Sequence, residues 1–185
     1  MEFSEMSRDP LAGVSPDRIY GLARKGQLEE AFTASQKLTD APSQFGTLLN
    51  LASLAYEKVH SRKKSSFDQR FVTKILDEAE SVLHSDALWS NSEFSEHIMN
   101  LKLLAMQRLR LDDTAGGIKT LAQIRTLSDS IPDHSEKAYV LNSLSLLYDD
   151  AGQKQEARNV FELARKAAGE IEDAKERAEV LSNIS

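Results

Sequence analysis

The chain has 185 residues, with 23 Lys and Arg against 29 Asp and Glu, which gives a formal net charge of −6. That length carries one medium domain or a short array of repeats, enough to bury a core without staples. It contains no cysteine, which excludes disulfides, thiolate zinc sites, iron–sulfur clusters and a cysteine nucleophile. The acidic balance also argues against nucleic acid or an anionic membrane surface as a partner.

Residues 1–10 lack a basic start followed by an apolar run, so neither a secretory signal nor an Arg-rich transit peptide is expected. Residues 1–15 are expected to form a flexible N-terminal segment. Apolar spacing of three and four then predicts helices over 16–25, 28–38, 43–59, 68–84, 93–111, 118–127, 135–150 and 153–168, with one more inside 171–185. The longest uncharged stretch, 41–56, is too short and too polar for a membrane span. No segment alternates cleanly enough to be a strand. The expectation is an all-α chain of eight or nine antiparallel helices, cytoplasmic and without membrane insertion.

One connection, 60–66, is long and polar and holds three consecutive cations, Arg62, Lys63 and Lys64. It reads as a solvated insertion, with a phosphate- or partner-binding patch as the alternative. Among helix boundaries, Asp133 with Glu136 three residues later makes a capping box, and Gly152 supplies the tight turn after 135–150.

The strongest signal is an internal repeat. Residues 131–145 (IPDHSEKAYVLNSLS) and 171–185 (IEDAKERAEVLSNIS) share seven identities in fifteen positions at a spacing of 40. Composition alone gives roughly one. A fainter copy sets Leu101, Leu104 and Ala105 forty residues before Leu141, Leu144 and Ser145. Another places Leu48, Leu51, Ala52 and Ala55 ahead of the long loop. Gly26-Gln27 with Glu30-Ala31 echoes Gly152-Gln153 with Glu156-Ala157.

Leu141, Leu144, Ser145, Tyr148, Gly152, Ala157, Phe161 and Ala164 together resemble the tetratricopeptide repeat. That family has two large residues, a small one and Tyr in its first helix, Gly at the turn, and Ala, Phe and Ala along its second. The copy near Ile98 departs from it, with Arg108 for the Tyr, Asp112 for the turn Gly and Gly117 for the small Ala. The resemblance implies a right-handed α-α superhelix, a solenoid of antiparallel helix pairs, here with a repeat of about 40 residues over 16–185. One pair cannot bury its apolar face alone, so copies must stack. The last copy stops within its first helix, so a fragment of a longer chain is expected.

The resemblance further implies that the first helices line a concave groove holding a peptide or helix of another protein. Carried onto this sequence, the groove positions are Gly46, Leu49, Ser53 and Tyr56 from one copy, Met99, Lys102, Met106 and Leu109 from the next, and Tyr139, Asn142, Leu146 and Asp149 from the third. The function expected is a scaffold or adaptor module rather than an enzyme. A self-associating solenoid, a homo-oligomer through its repeat ends, or a domain docking within a larger protein is the alternative. An RNA-binding helical repeat ranks below both, because residues 19–31 echo pentatricopeptide repeats only once and the chain is acidic.

No constellation suggests catalysis. Glu93 and His97 stand four apart, as metal ligands can, but no second His joins them. Ala115-Gly116-Gly117 lacks the strand before it and the Lys-Ser/Thr after it that a phosphate loop needs. No metal and no cofactor are expected.

Overall fold

A computed structural model describes residues 14–61, 68–85 and 94–184. Nine helices run through them and no strand occurs among them: α1 Pro16–Arg24, α2 Leu28–Ser35, α3 Ala41–Val59, α4 Gln69–Leu83, α5 Phe94–Arg110, α6 Thr114–Ser128, α7 His134–Asp150, α8 Lys154–Gly169 and α9 Ala174–Asn183. The all-α expectation is met. Most of the N-terminal segment expected over 1–15, Trp89, Glu93 and most of the insertion at 60–66 lie outside the described residues.

Caps set the helix starts. The side chains of Ser15, Asp40, Asp68, Asp113, Asp133 and Asp173 each accept a hydrogen bond from the backbone N–H three residues on, satisfying a donor that a helix end leaves orphaned. Two caps, Gln27 and Gln153, lack such a bond. Each instead follows a glycine in the left-handed region, Gly26 at φ 87° and Gly152 at φ 74°. At the matching turn between α5 and α6 the positive φ falls on Asp112, at 62°.

Three expectations shift. The helix expected over 28–38 ends at Ser35. The helix expected over 118–127 begins earlier, at Thr114, because Asp113 caps it and the Gly116-Gly117 pair is accepted into its first turn. The capping box at Asp133 is half made. Asp133 accepts from the Glu136 N–H at 2.7 Å, but the Glu136 carboxylate accepts the Ser95 hydroxyl of α5 instead.

The chain divides into two compact units, Met1–Asn91 and Ser92–Ser185; the repeat domain expected over 16–185 runs through both. In the first unit, α1 pairs with α2 and α3 with α4. Asn50 of α3 donates to the Tyr20 hydroxyl of α1 at 3.1 Å. Phe32 of α2 meets Phe71 of α4 edge-on at 6.0 Å. First helices thus neighbour first helices, and second helices neighbour second ones. His60 and Ser61 close α3 onto its own last carbonyls.

The second unit carries the clearer repeat. Ser95 at the start of α5 bonds Glu136 near the start of α7, and Ser135 of α7 bonds Glu176 of α9 in the same way. Helices α5, α7 and α9 therefore lie side by side and parallel. His134 at the start of α7 stands 3.3 Å from Glu170, just past the end of α8, so α8 runs back against α7. The core consists of Leu101, Leu104 and Ala105 on α5, Leu121 and Ile124 on α6, Leu141 and Leu144 on α7, and Val160 and Ala164 on α8, all buried. Each fully buried Leu, Ile or Val contributes about 1.5–3 kcal/mol. Ser145 holds the small first-helix position, and its hydroxyl is satisfied within its own helix by the Asn142 carbonyl at 2.7 Å.

Candidate functional site

Every turn of α5 that buries Leu101, Leu104 and Ala105 must present other residues outward, and here those are not polar. Met99, Leu103 and Met106 follow one another at four and three residues along that outer face, 57%, 46% and 46% exposed. On α7 the matching face carries Tyr139, 41% exposed, and Leu146, 61% exposed. These five are the exposed large apolar residues found among the described residues. They sit on two adjacent parallel helices rather than scattered singly, the distribution that marks an interaction surface.

A groove of about 230 Å³ runs between α5 and α7. Met99, Lys102, Tyr139 and Ser143 stand along it, Ser95 lies at its start, and Leu147 contributes to its floor. Lys102 is the one charged residue among those lining it. Asn183 of α9 donates to the Tyr139 hydroxyl at 3.1 Å, which fixes the ring at the groove edge. The groove offers apolar surface, hydroxyls and one ammonium. It can take an apolar side chain and pair with one anion.

The residues expected along the groove distribute as follows. Met99, Lys102 and Tyr139 line it. Met106 and Leu146 are exposed further along the same two helices, Asn142 is half-buried, and Asp149 is exposed in the last turn of α7. Leu109 is half-buried and leans toward α6, since a Cβ on Gly117 would stand 2.7 Å from its Cδ2. Tyr56 belongs to the first unit, half-buried, with its ring 4.0 Å from that of His60.

Leu103, Ser95 and Ser143 were not among the expected positions. The four-residue step from Met99 is the signal that finds Leu103. Ser143 lies four residues after Tyr139 by the same step.

The other singled-out residues fall elsewhere. His97 is buried on α5. His134 is exposed beside Glu170. Among the described residues no group of three or more His, Asp or Glu is arranged to hold a metal ion. No helix among them is long and apolar enough to cross a membrane. Comparison of the chain with protein-family models, with curated proteins and with solved structures finds no match.

Proposed function

We propose that this chain is a tetratricopeptide-like helical solenoid that binds a peptide or helix of a partner protein, serving as a scaffold or adaptor without catalysis. The observation that carries this reading is the placement of Met99, Leu103, Met106, Tyr139 and Leu146 on the outward faces of α5 and α7, on either side of a groove with Lys102 in it. The parallel row of α5, α7 and α9, tied by equivalent Ser–Glu bonds, supports the solenoid. Helices held rigidly from behind present a preformed surface, so little ordering opposes binding, and methionine suits a surface that must adapt to its ligand.

A displayed library of random peptides, selected on the purified protein, tests the reading. Enriched peptides are expected to share apolar anchors and one carboxylate. Their binding is expected to vanish on Met99→Asp or Leu146→Asp, and Lys102→Glu is expected to switch the selected charge to basic. Both apolar sites are solvent-exposed, so these variants keep the wild-type melting temperature. Peptides whose binding survives all three changes would place the interaction elsewhere and sink the proposal.

A further inference from the structure

In both units a tyrosine and an asparagine tie neighbouring first helices. Asn50 of α3 donates to the Tyr20 hydroxyl of α1 at 3.1 Å. Asn183 of α9 donates to the Tyr139 hydroxyl of α7 at 3.1 Å. The two asparagines hold one register. Asn50 lies two residues after Leu48 and one before Leu51, as Asn183 lies two after Leu181 and one before Ile184.

The seam between α5 and α7 fills the same two positions differently. Forty residues before Tyr139 is Met99, and forty before Asn183 is Ser143. Both line the groove of about 230 Å³ described above. A thioether, 57% exposed, stands where the next seam has a ring, and a short hydroxyl stands where it has an amide. The groove thus opens at the one register where the next repeat along carries a phenol and its partner. A cavity of about 150 Å³ holds benzene, so this space takes one aromatic ring. Lys102, its one charged liner, is half-buried three residues from Met99. Residues so spaced on a helix have Cβ atoms about 5–6 Å apart.

We infer that the α5–α7 groove selects a tyrosine side chain of the partner with an Asp or Glu beside it, an inference that rests on the docking reading above. The partner supplies the ring that this seam lacks. Its phenol meets the Ser143 hydroxyl and its carboxylate meets the Lys102 ammonium. Charge complementarity fixes the sign of the neighbouring residue, and the Tyr139–Asn183 tie fixes the anchor as a hydroxylated ring rather than an aliphatic chain.

The probes are four capped dipeptides, acetyl-Tyr-Glu-amide and its Phe-Glu, Leu-Glu and Tyr-Gln counterparts. The readout is the Met99 methyl resonance of protein labelled with carbon-13 at its methionine methyl groups, because a ring seated beside that methyl shifts it. Saturable shifts are expected, with Tyr-Glu binding at about 1 mM. Phe-Glu and Tyr-Gln should bind several-fold more weakly, and Leu-Glu about tenfold. Ser143→Ala should erase the preference for Tyr over Phe, and Lys102→Ala the preference for Glu over Gln. Met99→Tyr combined with Ser143→Asn copies the α7–α9 tie into this seam. That variant should melt at or above the wild-type temperature and lose the dipeptide, followed through the dipeptide's own signals. A silent Met99 methyl up to about 10 mM Tyr-Glu, equal affinity for Leu-Glu, or a double variant that melts lower or binds as before overturns the inference. Displayed peptides that depend on Met99 yet carry no aromatic residue overturn it while leaving the docking reading intact. A silent methyl together with no Met99-dependent peptide ends both.

Discussion

Arg108 and Asp113 form a buried ion pair across the α5–α6 turn, the guanidinium 2% and the carboxylate 10% exposed. The same carboxylate caps α6 by accepting the Gly116 N–H at 3.2 Å. Forty residues on, Tyr148 occupies the position of Arg108 and needs no counter-ion. One aspartate therefore holds both a helix start and a buried guanidinium. Asp113→Ala is expected to cost about 3–5 kcal/mol, the range for breaking a buried pair from one side. Asp133→Ala, which removes a cap of the same kind without a buried cation, is expected to cost about 1 kcal/mol. Urea unfolding of the two variants gives the difference. Equal losses would mean that Arg108 draws nothing from Asp113.

The turns after the first helices offer a second comparison. Gly26 and Gly152 sit at positive φ, and a Cβ added at either would meet nothing within 4 Å, so backbone strain is the whole cost of substituting them. Gly152→Ala is expected to destabilise by about 1–2 kcal/mol. Asp112 already bears that conformation, and its short polar side chain tolerates it better than most. Asp112→Gly is therefore expected to change stability by less than about 0.5 kcal/mol, the relief being offset by the greater freedom of glycine in the unfolded chain. Thermal melts of both variants check the pair.

Much of this architecture is legible in the sequence because cap, turn and apolar stripe recur at one spacing. Asp133 and Asp173, Leu141 and Leu181, and the all-helical pattern were readable as such. The start of α6 was not. The Asp113 cap and the packing of α6 on α5 override the poor helix propensity of Gly116 and Gly117. The Ser95–Glu136 and Ser135–Glu176 ties were hidden too, because the next repeat has Lys175 where the pattern wants serine. Of the groove, the outward Met99, Lys102 and Tyr139 follow from helical phase. Leu109 leans instead on Gly117, an effect of a glycine eight residues away that periodicity on α5 alone does not carry.

That contact has its own test. Gly46 lies inside α3 with open space where a Cβ would go, so Gly46→Ala is expected to stabilise by about 1 kcal/mol through helix propensity. Gly117→Ala gains the same propensity, but its Cβ would stand 2.7 Å from Leu109 Cδ2 and 2.9 Å from Cγ. Overpacking of that kind costs about 1–3 kcal/mol. Opposite signs for the two substitutions are expected in denaturant titrations. Combining Gly117→Ala with Leu109→Ala should remove the steric part of the penalty. A Gly117→Ala variant as stable as Gly46→Ala would show that Leu109 moves aside freely.

Alkaline pH should weaken the second unit through Tyr148. Burial in the α7–α8 hairpin pushes its phenol above the ordinary value of 10.0, and the Glu156 carboxylate adds to the shift while Arg125 opposes it. The folded chain thus holds the phenolic proton more tightly than the unfolded chain does. Its contribution is complete below pH 10, where the phenol is neutral in both states, and is lost as pH rises from there through the raised folded value. Stability is therefore expected to fall above about pH 10, with late titration of one tyrosine in the ultraviolet difference spectrum. Tyr148→Phe removes the ionisable group while keeping the ring, so it should flatten this part of the stability profile and delete the late-titrating signal. A Phe variant that loses stability with pH as steeply as the parent would assign the alkaline transition to other groups.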